Sequence, residues 1–166
     1  MDKHVPIGHD QGVNGPEMND RVVAAYPSDE NVRLAQDLVH ACNAHDIPRV
    51  EAFYAADYEG EDVSEELHLR GPNDVHRIMA AILKAFPDLQ IDVEQCVAEH
   101  DTVVVFWVAR GTHRGRMMNI PPTGRHVETR GVSLIKVSGG KIVSGQQVWD
   151  MAGMLRSMGL LPDLAH

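Results

Sequence analysis

A chain of 166 residues, 43% hydrophobic and 23% charged, has the size and balance of one ordinary globular domain with its own core. Its formal charge of -9 argues against a general nucleic-acid binder, which presents a basic surface. No run approaches the ~18 consecutive apolar residues of a membrane span, and the start lacks the basic-then-apolar pattern of a secretory signal, so a cytoplasmic protein without membrane contact is expected.

Residues 1–27 are rich in Gly, Pro, His, Asp and Asn and show no apolar period, which predicts a flexible extension or an arm over a partner subunit. The folded domain is expected over 28–166. Val32, Ala35, Leu38, Val39 and Cys42 fall at helical spacing behind Ser28 and Asp29 as candidate caps. Pro48 suits the first turn of a short second helix with Val50, Phe53 and Tyr54 on its inner face. A weaker strand is expected near Tyr58–Leu69. After Gly71, Pro72 starts a third helix with an apolar stripe of Val75, Ile78, Met79, Ile82, Leu83 and Phe86.

Past Pro87 the period changes to two. Leu89, Ile91, Val93, Gln95 and Val97 alternate with polar residues as in a half-buried strand. Thr102–Thr112 reads as a long strand, apolar on both sides over Val103–Val108 and therefore expected to be covered on both faces. Glu128–Ser138 and Ile142–Asp150 are two more strands, joined by a tight Gly139-Gly140 turn. A short helix over Met151–Met158 closes the chain. Helices first and four long antiparallel strands last give an α+β domain. Cys42 and Cys96 have no CxxC spacing and read as two inert core thiols. The ten histidines show no ligand spacing, so no metal is expected.

The segment Gly111–His126, GTHRGRMMNIPPTGRH, sets two glycine turns and a Pro-Pro-Thr-Gly-Arg bend between two β-branched runs. Asp150 follows it by twenty-four residues, at the end of the last apolar strand. With Ala85-Phe86-Pro87-Asp88-Leu89, the Gly140-Lys141-Ile142 turn and the Asp150-Met151-Ala152-Gly153-Met154-Leu155 ending, this pattern resembles the SnoaL-like polyketide cyclases over about Asn31–Gly159. The resemblance implies a nuclear-transport-factor-like cone: helices packed across the hollow of a strongly curved, mainly antiparallel sheet, as a homodimer. It implies no cofactor and a small hydrophobic or aromatic polyketide-like ligand, as in antibiotic biosynthesis. The chain departs from the family at Phe106, where arginine is common, and at Gln146-Gln147, where many relatives carry Glu-His-Trp. The strand Gly131–Val137 holds no histidine, although the cyclases pair their aspartate with one there.

From context alone Asp150 reads as a helix N-cap. The resemblance makes it the catalytic acid/base of an intramolecular aldol closure, in a pocket where desolvation strengthens a carboxylate as a base. Gln146 lies four residues before it, on the same side of the expected strand, so its amide can hold a substrate carbonyl or enolate oxygen. Trp107, Tyr54 and Tyr58 are candidates for lining a flat aromatic site, and also for plain core. His113 and His126 flank the IPPTGR loop as candidate carbonyl polarisers or as backbone-bonded loop residues. Three other readings stay open: a SnoaL-like cofactor-independent hydroxylase, a double-bond isomerase, and a non-catalytic small-molecule-binding domain.

Overall fold

The computed structural model describes residues 27–164. The N-terminal arm therefore lies, apart from Pro27, outside the described residues. Helix α1 (Pro27–Asn43) opens with Asp29 and Glu30 in its first turn, where negative charge complements the helix dipole. Ser28 and Asp29, expected as caps, lie inside this helix because it starts one residue earlier. Helix α2 (Ile47–Glu51) is capped by Asp46, whose carboxylate accepts from the Arg49 amide at 3.1 Å.

The largest local difference from the sequence reading follows. Tyr54 is not on the inner face of α2; it opens strand β1 (Tyr54–Asp62), which returns as β2 (Leu67–Arg70). The single weak strand expected near Tyr58–Leu69 is thus a two-stranded hairpin. Its signal was faint because the inward positions include Gly60 and Asp62, so neither face of β1 reads as apolar. Helix α3 (Gly71–Ala85) has Pro72 in its first turn and buries Val75, Met79 and Ala85.

Strands β3 (Gln90–Glu99), β4 (Thr102–Thr112), β5 (His126–Ser138) and β6 (Lys141–Trp149) precede helix α4 (Met151–Ser157). Gly139 and Gly140, at φ 56° and 72°, make the tight turn between β5 and β6 that only residues tolerant of positive φ allow. The six strands form one sheet in the order β2-β1-β6-β5-β4-β3, antiparallel except for β1 beside β6. Together these elements form the expected cone-like α+β fold, with register shifts at Val93/Gln95 and Lys136/Val137 that help to bend the sheet.

The inner face carries two apolar clusters. One joins Ala35 and Ala41 of α1 to Val103, Val105, Ile135, Val137 and Ile142. The other joins Met79, Ala85 and Phe86 to Val127, Met154 and Met158. Helix α1 packs on β3 and β4, α3 on β1 and β2, and α4 on β5. The middle of β5 and β6 is left between them, lined by Thr129, Gly131, Ser133, Gly145 and Gln147, none of them fully buried. The outer face is open over much of its area, contrary to the expectation that β4 is covered on both sides along its length, although Val108 on that face is only 1% exposed. Val97, Phe106, Leu134 and Val148 are exposed there, Phe106 by 39% and Val148 by 50%.

Candidate functional site

Strand pairing lines up two rows of side chains across the inner face. Asp62 of β1 pairs with Gln147 of β6, which pairs with Ser133 of β5. One step along, Trp149 of β6 pairs with Gly131 of β5, which pairs with Trp107 of β4. Both tryptophans of the chain therefore flank the same glycine. A Cβ on Gly131 would lie 2.2 Å from Cζ2 of Trp107, so the indole leans over a backbone that must stay bare. Its Nε1 donates to Ser133 Oγ at 3.0 Å.

Asp62 is the anchor of the first row and is only 5% exposed. Its Oδ2 accepts from Gln147 Nε2 at 2.5 Å and from Trp149 Nε1 at 3.0 Å. Its Oδ1 accepts from the amides of Ser64 and Glu65 at 2.9 and 3.2 Å. Each of these neighbours is a donor, which is how a buried carboxylate is made tolerable. Ser64 Oγ completes the joint, donating to the Trp149 carbonyl at 2.9 Å and accepting from the Trp149 amide at 2.8 Å. Burial, and then the charge of Asp62, raise the nearby Glu65 carboxyl above its ordinary value.

Deeper in the hollow, Tyr54 and Tyr58 meet edge to face with ring centroids 4.7 Å apart. The Tyr58 hydroxyl occupies the space that side chains on Gly60 and Gly145 would need. Burial pushes Tyr58 up to about 12 and raises Tyr54 as well, so both phenols stay protonated at neutral pH.

Two indoles beside a few half-buried polar groups, on the inner face of a curved sheet between helices, are the kinds of groups that line a small-molecule site. A model of the SnoaL-like polyketide cyclase family matches residues 32–158. The chain belongs to that family. Among solved structures it is similar to AclR of Streptomyces galilaeus, a proposed hydroxylase, at 30% identity and a TM-score of 0.75 over 83% of this chain and 90% of that one. It is also similar to IdmH of Streptomyces antibioticus, a proposed polyketide cyclase, at 26% identity and a TM-score of 0.69 over 78% and 98% of the two chains. A proposed SnoaL-like cyclase of Jannaschia shares the fold at 19% identity and a TM-score of 0.74 over 84% and 99%. No curated protein matches the chain.

Within this SnoaL-like frame the residues singled out from the sequence fall in different places. Trp107 and Tyr58 face the hollow, and Tyr54 is packed beside them. Asp150 is exposed and does not sit in a closed apolar cavity. It is the N-cap of α4, with Oδ1 accepting from the Gly153 amide at 2.7 Å. Gln146 is on the outer face, where its amide donates to Glu61 at 2.8 Å. Strand β6 ends at Trp149, so the alternation that would have put Gln146 and Asp150 on one side does not run to Asp150. The inward glutamine is its neighbour, Gln147. His126 is exposed at the start of β5.

His113 is fully buried against Phe86 and holds the IPPTGR loop. Its amide donates to the Arg125 carbonyl at 2.9 Å, its carbonyl accepts from Gly124, and its Nδ1 takes the Thr123 amide at 3.3 Å. The ring therefore serves as a loop staple. Its Nε2 is buried without a partner among the described residues.

The sequence reading missed Asp62, Ser64, Ser133, Gln147 and Trp149. A signal existed for one of them. An aspartate in a strand is out of place by propensity and asks for a buried partner.

A cleft of about 470 Å³ lies between β1 and the start of α3, lined by Ala56, Tyr58, Glu59, Arg70, Pro72 and Asn73 among others. It is shallow and open, takes in one edge of Tyr58, and is lined by none of the residues of the two rows.

Proposed function

We propose that this protein is a SnoaL-like polyketide cyclase that closes a ring by an intramolecular aldol reaction, without metal or cofactor, in the cytoplasm of a polyketide-producing cell. The observation that carries this reading is the arrangement of the inner face: Trp107 and Trp149 on either side of Gly131, beside the Asp62–Gln147–Ser133 row. Two indoles suit a flat, partly aromatic substrate, and the anchored polar row suits its oxygens.

In this mechanism Asp150, next to Trp149 at the rim, is the acid/base. One carboxylate oxygen is held by the Gly153 amide, and the other has no hydrogen-bond donor among the described residues. A substrate lying against Trp149 would exclude water from that free oxygen, and a desolvated carboxylate is the stronger base. It takes a proton from carbon between two carbonyls, leaving the electron pair in an enolate. The enolate carbon attacks a carbonyl carbon within the same molecule, forming the new C–C bond. The alkoxide so formed takes the proton back from Asp150.

The test is Asp150→Asn. Asparagine caps a helix as well as aspartate does, so thermal stability should hold while ring closure of a linear poly-β-ketone falls by about 100-fold or more. Unchanged turnover by Asp150→Asn would sink this assignment. A second candidate acid/base is Glu65, whose amide is held by Asp62 at the end of the row and whose carboxyl is raised by burial and by the charge of Asp62. Loss of turnover in Glu65→Gln but not in Asp150→Asn would transfer the role. The homodimer belongs to the same reading. It is supported by the exposed apolar face of Val97, Phe106, Leu134 and Val148, the kind of contiguous patch that a second subunit covers.

A further inference from the structure

We infer that Gln147 and Ser133 form a paired reader for an oxygenated ligand edge, with Gln147 accepting from a ligand hydroxyl and Ser133 donating to a ligand carbonyl. This rests on the hollow being the ligand site, as proposed above, and adds the chemistry that it selects.

The orientation of the Gln147 amide follows from its partner. Asp62 accepts four other donor contacts, two from backbone amides and two from the Trp149 indole, and offers Gln147 nothing to accept. The NH2 end of the amide must therefore face Asp62, as the 2.5 Å contact from Nε2 requires. Oε1 is turned the other way and has no partner among the described residues. Gln147 thus presents a fixed acceptor.

Ser133 has the opposite character for a similar reason. The Trp107 indole can only donate, so Ser133 Oγ is its acceptor at 3.0 Å. The hydroxyl hydrogen is left without a partner among the described residues. Ser133 therefore presents a donor, directly across the ladder from Gln147. Paired residues on neighbouring strands hold their Cβ atoms about 5 Å apart, so one face of a ligand can reach both. The two side chains make no hydrogen bond to each other, and both are half-buried, so neither is sealed from a ligand. The resulting preference is for a hydroxylated aromatic ketone whose hydroxyl is free, over its ether or its unsubstituted parent.

The experiment uses the full chain labelled with nitrogen-15 and follows the two indole N–H resonances, one for each tryptophan, during titration. The probes are 2-hydroxyanthraquinone and its methyl ether, below the pKa of the phenol. Both should shift the Trp107 and Trp149 resonances, with the hydroxyl compound binding about tenfold more tightly, as one desolvated hydrogen bond allows. Gln147→Met should bring the ratio to about one. Ser133→Ala should weaken both probes by a similar factor, because both keep the ketone. Equal binding of the two probes to the unmodified chain, or a preference that survives Gln147→Met, overturns the paired reader while leaving the hollow as a site. Failure of either probe to move either indole overturns both this inference and the choice of the hollow. The wild-type comparison decides whether or not a variant folds.

Discussion

Asp62 on β1 grips the indole nitrogen of Trp149 on β6 with both carboxylate oxygens, at 3.0 and 3.2 Å. The contact spans the one parallel pairing of the sheet, and the same carboxylate fixes Gln147. It therefore ties the edge hairpin to the hollow and sets the polarity of the row that faces it.

Replacing Asp62 by asparagine keeps the volume but turns one acceptor oxygen into a donor facing donors. Since a buried donor without a partner carries its full desolvation cost, Asp62→Asn should destabilise the fold by about 3 kcal/mol in urea unfolding. Trp149 emission should shift to the red as its indole meets water. A loss below about 0.5 kcal/mol, within the usual range of surface changes, would mean that the network is not under tension to stay paired.

Gly153 leaves room for the Asp150 carboxylate. A Cβ there would stand 2.1 Å from Oδ2, close enough to force the carboxylate aside. In Gly153→Ala the loss of a cap, about 1 kcal/mol, is offset by about 1 kcal/mol of gained helix propensity. Stability should barely change while ring closure drops to roughly the level expected for Asp150→Asn. Full activity in a Gly153→Ala variant would show that the orientation of Asp150 is irrelevant to turnover.

On the outer face, Phe106 pairs across the ladder with Val132, which pairs with Val148. Phe106→Glu puts a charge in the middle of this apolar row. If the proposed homodimer uses this face, sedimentation should show a dimer for the unmodified chain and a monomer for the variant, still folded because Phe106 lies outside both core clusters. A variant that sediments like the parent would rule this face out as the interface of the proposed homodimer.

The buried thiol of Cys42 gives a pH dependence with a definite sign. Burial pushes it from about 9 up to about 11 in the folded protein. Between those values the unfolded chain releases the proton and the folded chain keeps it, so stability falls as pH rises. The loss should begin near the unfolded value and reach about 1 kcal/mol by roughly pH 10, before Tyr58 adds a drop of the same sign higher up. Cys42→Ala should flatten the curve in that window. An identical slope in the variant would assign it to another group.

Much of this was legible from local pattern. The stripe Val75 to Phe86, the alternation after Pro87 and the Gly139-Gly140 turn lead directly to α3, β3 and the β5–β6 hairpin, because each signal is complete within one element. The GTH and IPPTGR motifs pointed to the family. What the motifs did not carry was the site. Asp62 and Gln147 are 85 residues apart in the chain and meet only through the parallel pairing of β1 with β6, which no local period announces. Asp150 also shows the limit, because its role as a cap was visible in context while its exposure was not.

The sequence alone determined the order of helices and strands outside the β1–β2 hairpin, the family and the cap, since propensity, periodicity and motif act over a few neighbouring residues. Tertiary structure alone decided which of Gln146 and Gln147 faces inward, that two tryptophans flank one glycine, and that a buried aspartate holds a glutamine with its carbonyl outward. A strand side chain changes face with each residue, so a register set by distant partners, and no local signal, chooses the groups that line the hollow.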